Sequence, residues 1–124
     1  MPKSPKISDA EWVVMEVLWE HSPQTAGQVV ARLADRTQWK EPTVKTMLNR
    51  LGRKGALKFD TEGKRYLYRP AVSRQACVRG ETRSFAERVF GGEIASMLAH
   101  FVADSKLTQK QIDELRRLLD QKAR

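Results

Sequence analysis

Residues 41–70 read EPTVKTMLNRLGRKGALKFDTEGKRYLYRP, and a change of period inside this stretch decides the fold. Wound at about 100° per residue, Val44, Met47, Leu48 and Leu51 gather on one side, the apolar stripe of an amphipathic helix. Thr43, Thr46, Arg50 and Arg53 line the opposite side, with Lys45 and Asn49 flanking the row. Pro42 falls in the first turn, where its missing N–H costs nothing. Gly55 can take the left-handed conformation that ends a helix. Beyond it the period shortens to two. Leu57, Phe59, Tyr66 and Tyr68 alternate along two runs separated by Glu62-Gly63, and Pro70 closes the second run. This spacing predicts a β-hairpin with Gly63 at its turn.

Upstream, Ser8 and Glu11 fit a capping box, in which each side chain accepts from the other residue's backbone N–H. The helix they open, over about 9–21, carries Trp12, Val13, Met15, Val17, Leu18 and Trp19 around most of its circumference. That distribution suits a central, largely buried helix, and Ser22-Pro23 stops it. Thr25 and Gln28 form a second box before a helix over about 26–36, with Ala26, Val29, Val30 and Leu33 on one stripe. A polar loop with Trp39 leads to the third helix, over about 41–54. The first six residues read as a loose arm. Three helices followed by a basic hairpin predict a winged helix-turn-helix within residues 1–70.

Downstream, residues 71–124 look entirely helical. Ser73 can cap a helix over about 74–90 that ends at Gly91-Gly92. A second helix follows over about 93–104, and Thr108 with Gln111 caps a third. Three short helices with one narrow apolar stripe each make a poor core alone. A second copy of the chain is the simplest partner, since closed two-fold dimers are the commonest homo-oligomers. The candidate interface comprises Phe85, Val89, Ile94, Met97, Leu98, Phe101 and Val102, and in the last helix Ile112, Leu115, Leu118 and Leu119. The fold class expected is therefore mainly α with a small β-hairpin: a winged helix-turn-helix plus a helical dimerisation region.

The charge is unevenly spread. The 124 residues hold 23 Lys and Arg against 15 Asp and Glu, a net +8. Residues 40–69 hold nine of those cations and three of the acids, so +6 resides in a quarter of the chain. This points to an anionic partner, with nucleic acid first. In a helix-turn-helix the second helix of the motif enters the major groove and its N-terminal half meets base edges. Those positions are Thr43, Thr46, Asn49 and Arg50, with Lys45 beside them. Thr can touch a thymine methyl, Asn can pair with adenine and Arg with guanine. Arg53 and Lys54, at the helix end, and Lys64 and Arg65, at the hairpin tip, suit phosphates. A polar helix face is usually only solvated. The conjunction of a short turn, a capped helix, a basic face and a basic hairpin moves the reading to double-stranded DNA. The alternatives are a winged-helix adaptor for an acidic protein, and a repressor released directly by a small ligand.

Other classes find no support. One cysteine, Cys77, permits no disulfide within the chain, and it reads as a small packing residue or an exposed thiol rather than a redox sensor. With His21 and His100 far from it in sequence, no zinc site and no cofactor are expected. His21 suits the end of a helix as a cation, and the three tryptophans read as packing residues. No nucleophile–base pair, carboxylate pair or phosphate-binding glycine loop marks an enzyme. No apolar run nears the ~18 residues of a membrane span, and MPKSPKIS lacks the apolar core of a signal peptide. A cytoplasmic protein without membrane insertion is expected.

Five segments carry a family resemblance: ISDAEWVVMEVLWEHSPQTAGQVVARL, TVKTMLNRLGRKGAL, EGKRYLYRP, ETRSFAERVFGG and LTQKQIDELRRLLD. In order and spacing they resemble the penicillinase-repressor (BlaI/MecI) family, which has a copper-responsive branch. The resemblance implies a homodimeric transcriptional repressor that binds inverted-repeat operators with TACA and TGTA half-sites. Thr43, Lys45, Thr46, Asn49 and Arg50 then become its readers. In the β-lactam branch a membrane sensor-protease triggers cleavage of the repressor in the dimerisation region, commonly at an Asn-Phe bond. The matching place is His100-Phe101 in MLAHFVADS, where the Phe is kept and His replaces Asn. The resemblance thus implies relief by proteolysis and a sensor-protease system as partner. The copper branch carries a C-terminal cysteine cluster. This sequence ends DQKAR with none, so metal sensing through such a cluster is not expected.

Overall fold

The structure, a computed structural model, describes residues 5–124. Residues 1–4 of the expected N-terminal arm lie outside the described residues. The elements in chain order are α1 (Asp9–Glu20), α2 (Ala26–Leu33), α3 (Glu41–Arg53), β1 (Leu57–Glu62), β2 (Arg65–Pro70), α4 (Arg74–Phe90), α5 (Ile94–Asp104) and α6 (Gln109–Ala123). They fall into two compact units, Met1–Thr82 and Arg83–Arg124, with the division inside α4.

The first unit is a three-helix core with a hairpin. Both expected capping boxes form. The Ser8 hydroxyl accepts from Glu11 N–H at 3.2 Å and the Glu11 carboxylate accepts from Ser8 N–H at 2.9 Å. Thr25 and Gln28 repeat the exchange at 3.2 and 2.8 Å. α3 starts without a side-chain cap, with Pro42 in its first turn. The three helices meet through Val14, Met15, Leu18, Val29, Leu33, Val44, Leu48 and Leu51, all buried. All but Val14 are among the apolar residues from which the sequence predicted the helices. α1 packs against α2, α3 and β2, which makes it the central element expected from its apolar circumference.

The hairpin is antiparallel, with Phe59 opposite Tyr68 and Glu62 opposite Arg65. Gly63 and Lys64 form the two-residue turn. Gly63 has φ 66°, and among the described residues none other than glycine has a positive φ. This is the pattern of a type II′ turn, whose twist matches that of paired strands. Leu57 and Tyr68 anchor the hairpin in the core. A third, one-residue strand joins it: Gln24 N–H donates to Tyr68 O at 3.0 Å and Tyr68 N–H donates to Gln24 O at 2.8 Å. The segment before α2 is thereby fastened to β2, which lies between it and β1.

Residues after the wing stay with this unit. Trp19 Nε1–H donates to Val72 O at 3.0 Å, Arg74 Nε pairs with Glu16 at 3.0 Å, and Cys77 is buried in the same core. Burial pushes the Cys77 thiol up, and the charge of Glu81 adds to this.

The second unit holds the rest of α4 with α5 and α6. Thr108 and Gln111 cap α6 reciprocally, as expected. Phe85 packs its ring 5.9 Å from Phe90 and 6.1 Å from Phe101. Among the described residues of this unit only Ala86 and Met97 are buried. Val89, Ile94, Leu98, Val102, Leu115, Leu118 and Leu119 are all exposed, and no residue of α6 is buried.

Candidate nucleic-acid interface

α3 divides cleanly into two faces. Val44, Met47, Leu48 and Leu51 are buried, and Thr43, Lys45, Thr46, Asn49, Arg50 and Arg53 are exposed. The core stripe thus dictates which residues remain outside. Thr46 donates its hydroxyl proton to Pro42 O at 3.0 Å, leaving its oxygen lone pairs and methyl for an outside partner. Lys45 lies 3.5 Å from Glu41 one turn earlier. Arg50 and Arg53 make no ion pair among the described residues. The face is cationic and carries donors suited to base edges and phosphates.

The wing supplies the second cationic surface. Lys64 occupies the exposed turn. Arg65 lies 3.4 Å from Glu62, and Arg69 lies 3.2 Å from Asp60. All four of these side chains are more than half exposed. Such pairs contribute little, about 0–1 kcal/mol, so a phosphate can displace the carboxylate from either arginine.

Lys54 is placed differently from its sequence neighbours. Its ammonium is bonded to the Glu11 carboxylate, which is only 3% exposed. Burial works to raise the Glu11 carboxyl. The hydrogen bonds from Lys54 and Ser8, with the Lys54 charge, outweigh it and hold the group below its ordinary value. Lys54 thus fixes the end of α3 to the start of α1.

Between α3 and the hairpin runs a groove of about 790 Å³. Leu48, Asn49 and Arg53 line it from the helix, and Leu57, Phe59 and Tyr68 line it from the wing. Phe59 and the exposed face of α3 therefore share one surface. The sequence contained a signal for this. Phe59 has the same parity as the core residue Leu57, so it faces the same way but lies beyond the core's edge.

The remaining singled-out residues lie in the second unit. Phe85, Phe101 and Phe90 form an aromatic cluster. Ile112 is half-buried and Met97 is buried. His100 and Phe101 sit inside α5, with His100 Nε2 3.1 Å from Asp104. No group of His, Cys, Asp and Glu among the described residues is placed to hold a metal ion. No described helix is long and apolar enough to cross a membrane.

The model of the penicillinase repressor family matches residues 7–121, which spans the winged helix and most of the second unit. The chain belongs to the penicillinase repressor family. A penicillinase repressor of Bacillus licheniformis is 36% identical over 121 residues, covering 98% of this chain and 94% of that protein. The methicillin resistance regulatory protein MecI of Mammaliicoccus sciuri is 28% identical, covering 97% and 98%. Among solved structures, the DNA-binding domain of the repressor BlaI is 41% identical with a TM-score of 0.54, covering 61% of this chain and 93% of that one. The B. licheniformis BlaI monomeric form in complex with the blaP half-operator gives the same identity and coverage, with a TM-score of 0.53. The regulator MepR of Staphylococcus aureus, at 16% identity and a TM-score of 0.51, shares the fold. The winged helix-turn-helix read from the sequence is thus the fold of this penicillinase-repressor family member.

Proposed function

We propose that this family member is a homodimeric transcriptional repressor that binds an inverted-repeat operator. Each subunit lays α3 in a major groove. Thr43, Lys45, Thr46, Asn49 and Arg50 meet base edges there. Arg53, Lys64 and Arg65 hold phosphates. Lys54, engaged by Glu11, serves the position of the helix. The observation that carries this reading is the likeness, at 41% identity over 61% of the chain, to a repressor solved in its monomeric form on a half-operator.

Residues 71–124 supply dimerisation in this reading. The exposed apolar residues Val89, Ile94, Leu98, Phe101, Val102, Leu115, Leu118 and Leu119 support it, because they lie uncovered among the described residues. Phe85 and Ile112, both half-buried, and buried Met97 belong to the same proposed interface. Two linked heads hold DNA more tightly than one, since each phosphate contact adds to a salt-dependent affinity. Cleavage at His100-Phe101 by a protease under a membrane sensor would relieve repression by removing the clamp. That bond lies within a helix, so the protease must meet a locally opened α5.

The test is a band shift with the DNA upstream of the protein's own gene. Retardation at ordinary ionic strength, absent with a scrambled duplex of equal length, is expected. Equal affinity for the two duplexes would overturn the proposal.

A further inference from the structure

The wing carries two large aromatic side chains that the core does not use. Phe59 is 55% exposed and Tyr66 is 51% exposed, although they share a hairpin face with buried Leu57 and Tyr68. Their ring centroids lie 4.8 Å apart, and Tyr68 stands 6.2 Å from Phe59. The rings therefore brace one another across the strands and keep their orientation without a ligand. Phe59 lines the groove that Asn49 and Arg53 border from α3. The hairpin around the rings is cationic, with Lys58, Lys64, Arg65 and Arg69 against Asp60 and Glu62.

A strand of duplex DNA presents an alternation of anionic phosphates and apolar deoxyribose faces. Arg53 on one side of the aromatic pair and Lys64 with Arg65 on the other present the complementary alternation of cation, apolar surface and cation. A surface meant only for water would not expose two rings packed at a tilt against each other beside a groove. We infer that Phe59 and Tyr66 form an apolar contact for the deoxyribose faces of the strand between the α3 groove and the wing. They add an affinity component that does not depend on counterion release. This inference rests on the DNA-binding reading above and adds to it a contact of different physical origin.

Salt dependence separates this component from the ionic ones. A lost phosphate contact flattens the slope of log K against log salt by about 0.9, whereas a lost apolar contact leaves the slope unchanged. The full chain is titrated against the fluorescent promoter duplex across a series of NaCl concentrations. The double variant Phe59→Ala/Tyr66→Ala is expected to bind about tenfold more weakly at every salt concentration, with the wild-type slope. Lys64→Ala is expected to flatten the slope. Phe59→Leu and Tyr66→Phe keep apolar bulk and hairpin stability. Tyr66→Phe keeps the ring and is expected to bind like wild type, whereas Phe59→Leu is expected to weaken binding measurably with the wild-type slope and decides the matter if the double variant unfolds. Wild-type affinity in the folded double variant, or in Phe59→Leu where the double variant unfolds, would overturn the inference, as would a weakened binding whose slope flattens. A changed sedimentation coefficient in the double variant would also overturn it, because the rings would then belong to a contact between protein copies. If Arg50→Ala abolishes promoter preference while the aromatic variants bind normally, only this inference falls. If wild-type protein shows no promoter preference, the DNA-binding reading falls with it.

Discussion

The Lys54 ammonium lies 2.5 Å from the Glu11 carboxylate although 43 positions separate them in the chain. The pair joins the last turn of α3 to the first turn of α1, where Glu11 already closes the capping box with Ser8. One carboxylate therefore sets both the start of the central helix α1 and the end of α3. Lys54→Met is expected to lower the unfolding free energy by about 1–3 kcal/mol, the worth of a hydrogen bond to a charged group. Urea denaturation followed by circular dichroism measures it, and an unchanged midpoint would show the pair to be dispensable.

The same carboxylate gives the winged unit an acid limit. Its pKa in the folded state is held below the unfolded value of about 4.3. The stability it contributes is fully present above that value and drains away as pH falls through the folded pKa. Melting temperature is expected to fall on acidification below about pH 4. Glu11→Gln should be less stable at neutral pH and lose less on acidification. Identical pH profiles for the two proteins would remove Glu11 from the account.

Arg50 stands on the exposed face of α3 with no ion pair among the described residues. Arg50→Ala is expected to weaken operator binding by about 1–3 kcal/mol and to relax the base requirement at one position. Binding selections on randomised operators would show the relaxed position. An equal loss on random DNA would make Arg50 a phosphate contact instead.

Leu98 and Leu115 are large, apolar and exposed, on α5 and α6. Leu98→Asp or Leu115→Asp should leave the winged unit folded and yield monomers with poor operator affinity. Sedimentation equilibrium reads the mass directly. A dimer persisting in both variants would place the interface elsewhere.

Gly63 takes φ 66° at the first position of the hairpin turn, and a Cβ there would meet nothing within 4 Å. Gly63→Ala therefore carries backbone strain without a clash, a cost of about 1–2 kcal/mol. It is expected to raise amide exchange in β1 and β2 while α1 to α3 stay protected. Uniform protection would show that the wing tolerates another turn type.

Local signals in the sequence were read well and distant ones were not. The Ser8–Glu11, Thr25–Gln28 and Thr108–Gln111 caps each depend on residues three apart, and all form. The buried face of α3 follows from its period, and the exposed row opposite follows from that face. The Gln24–Tyr68 pairing is a single-residue strand, too short to impose any period. The Lys54–Glu11 bond joins residues whose types say only that each is charged, and a carboxylate in a first helical turn ordinarily faces water. The packing of Cys77 and Val72 with the first unit was equally hidden, since a helix's sequence does not say which neighbour each of its turns will meet.

The two-residue turn at Gly63-Lys64 leaves the hairpin no slack. Six residues in each strand fix how far the tip extends from α3, and no flexible loop is available to stretch or retract it. In the proposed DNA complex the footprint of one head would accordingly have a fixed width. Were two heads to meet recognition sequences at unequal distances, bending of the duplex or adjustment beyond the wing would have to absorb the difference.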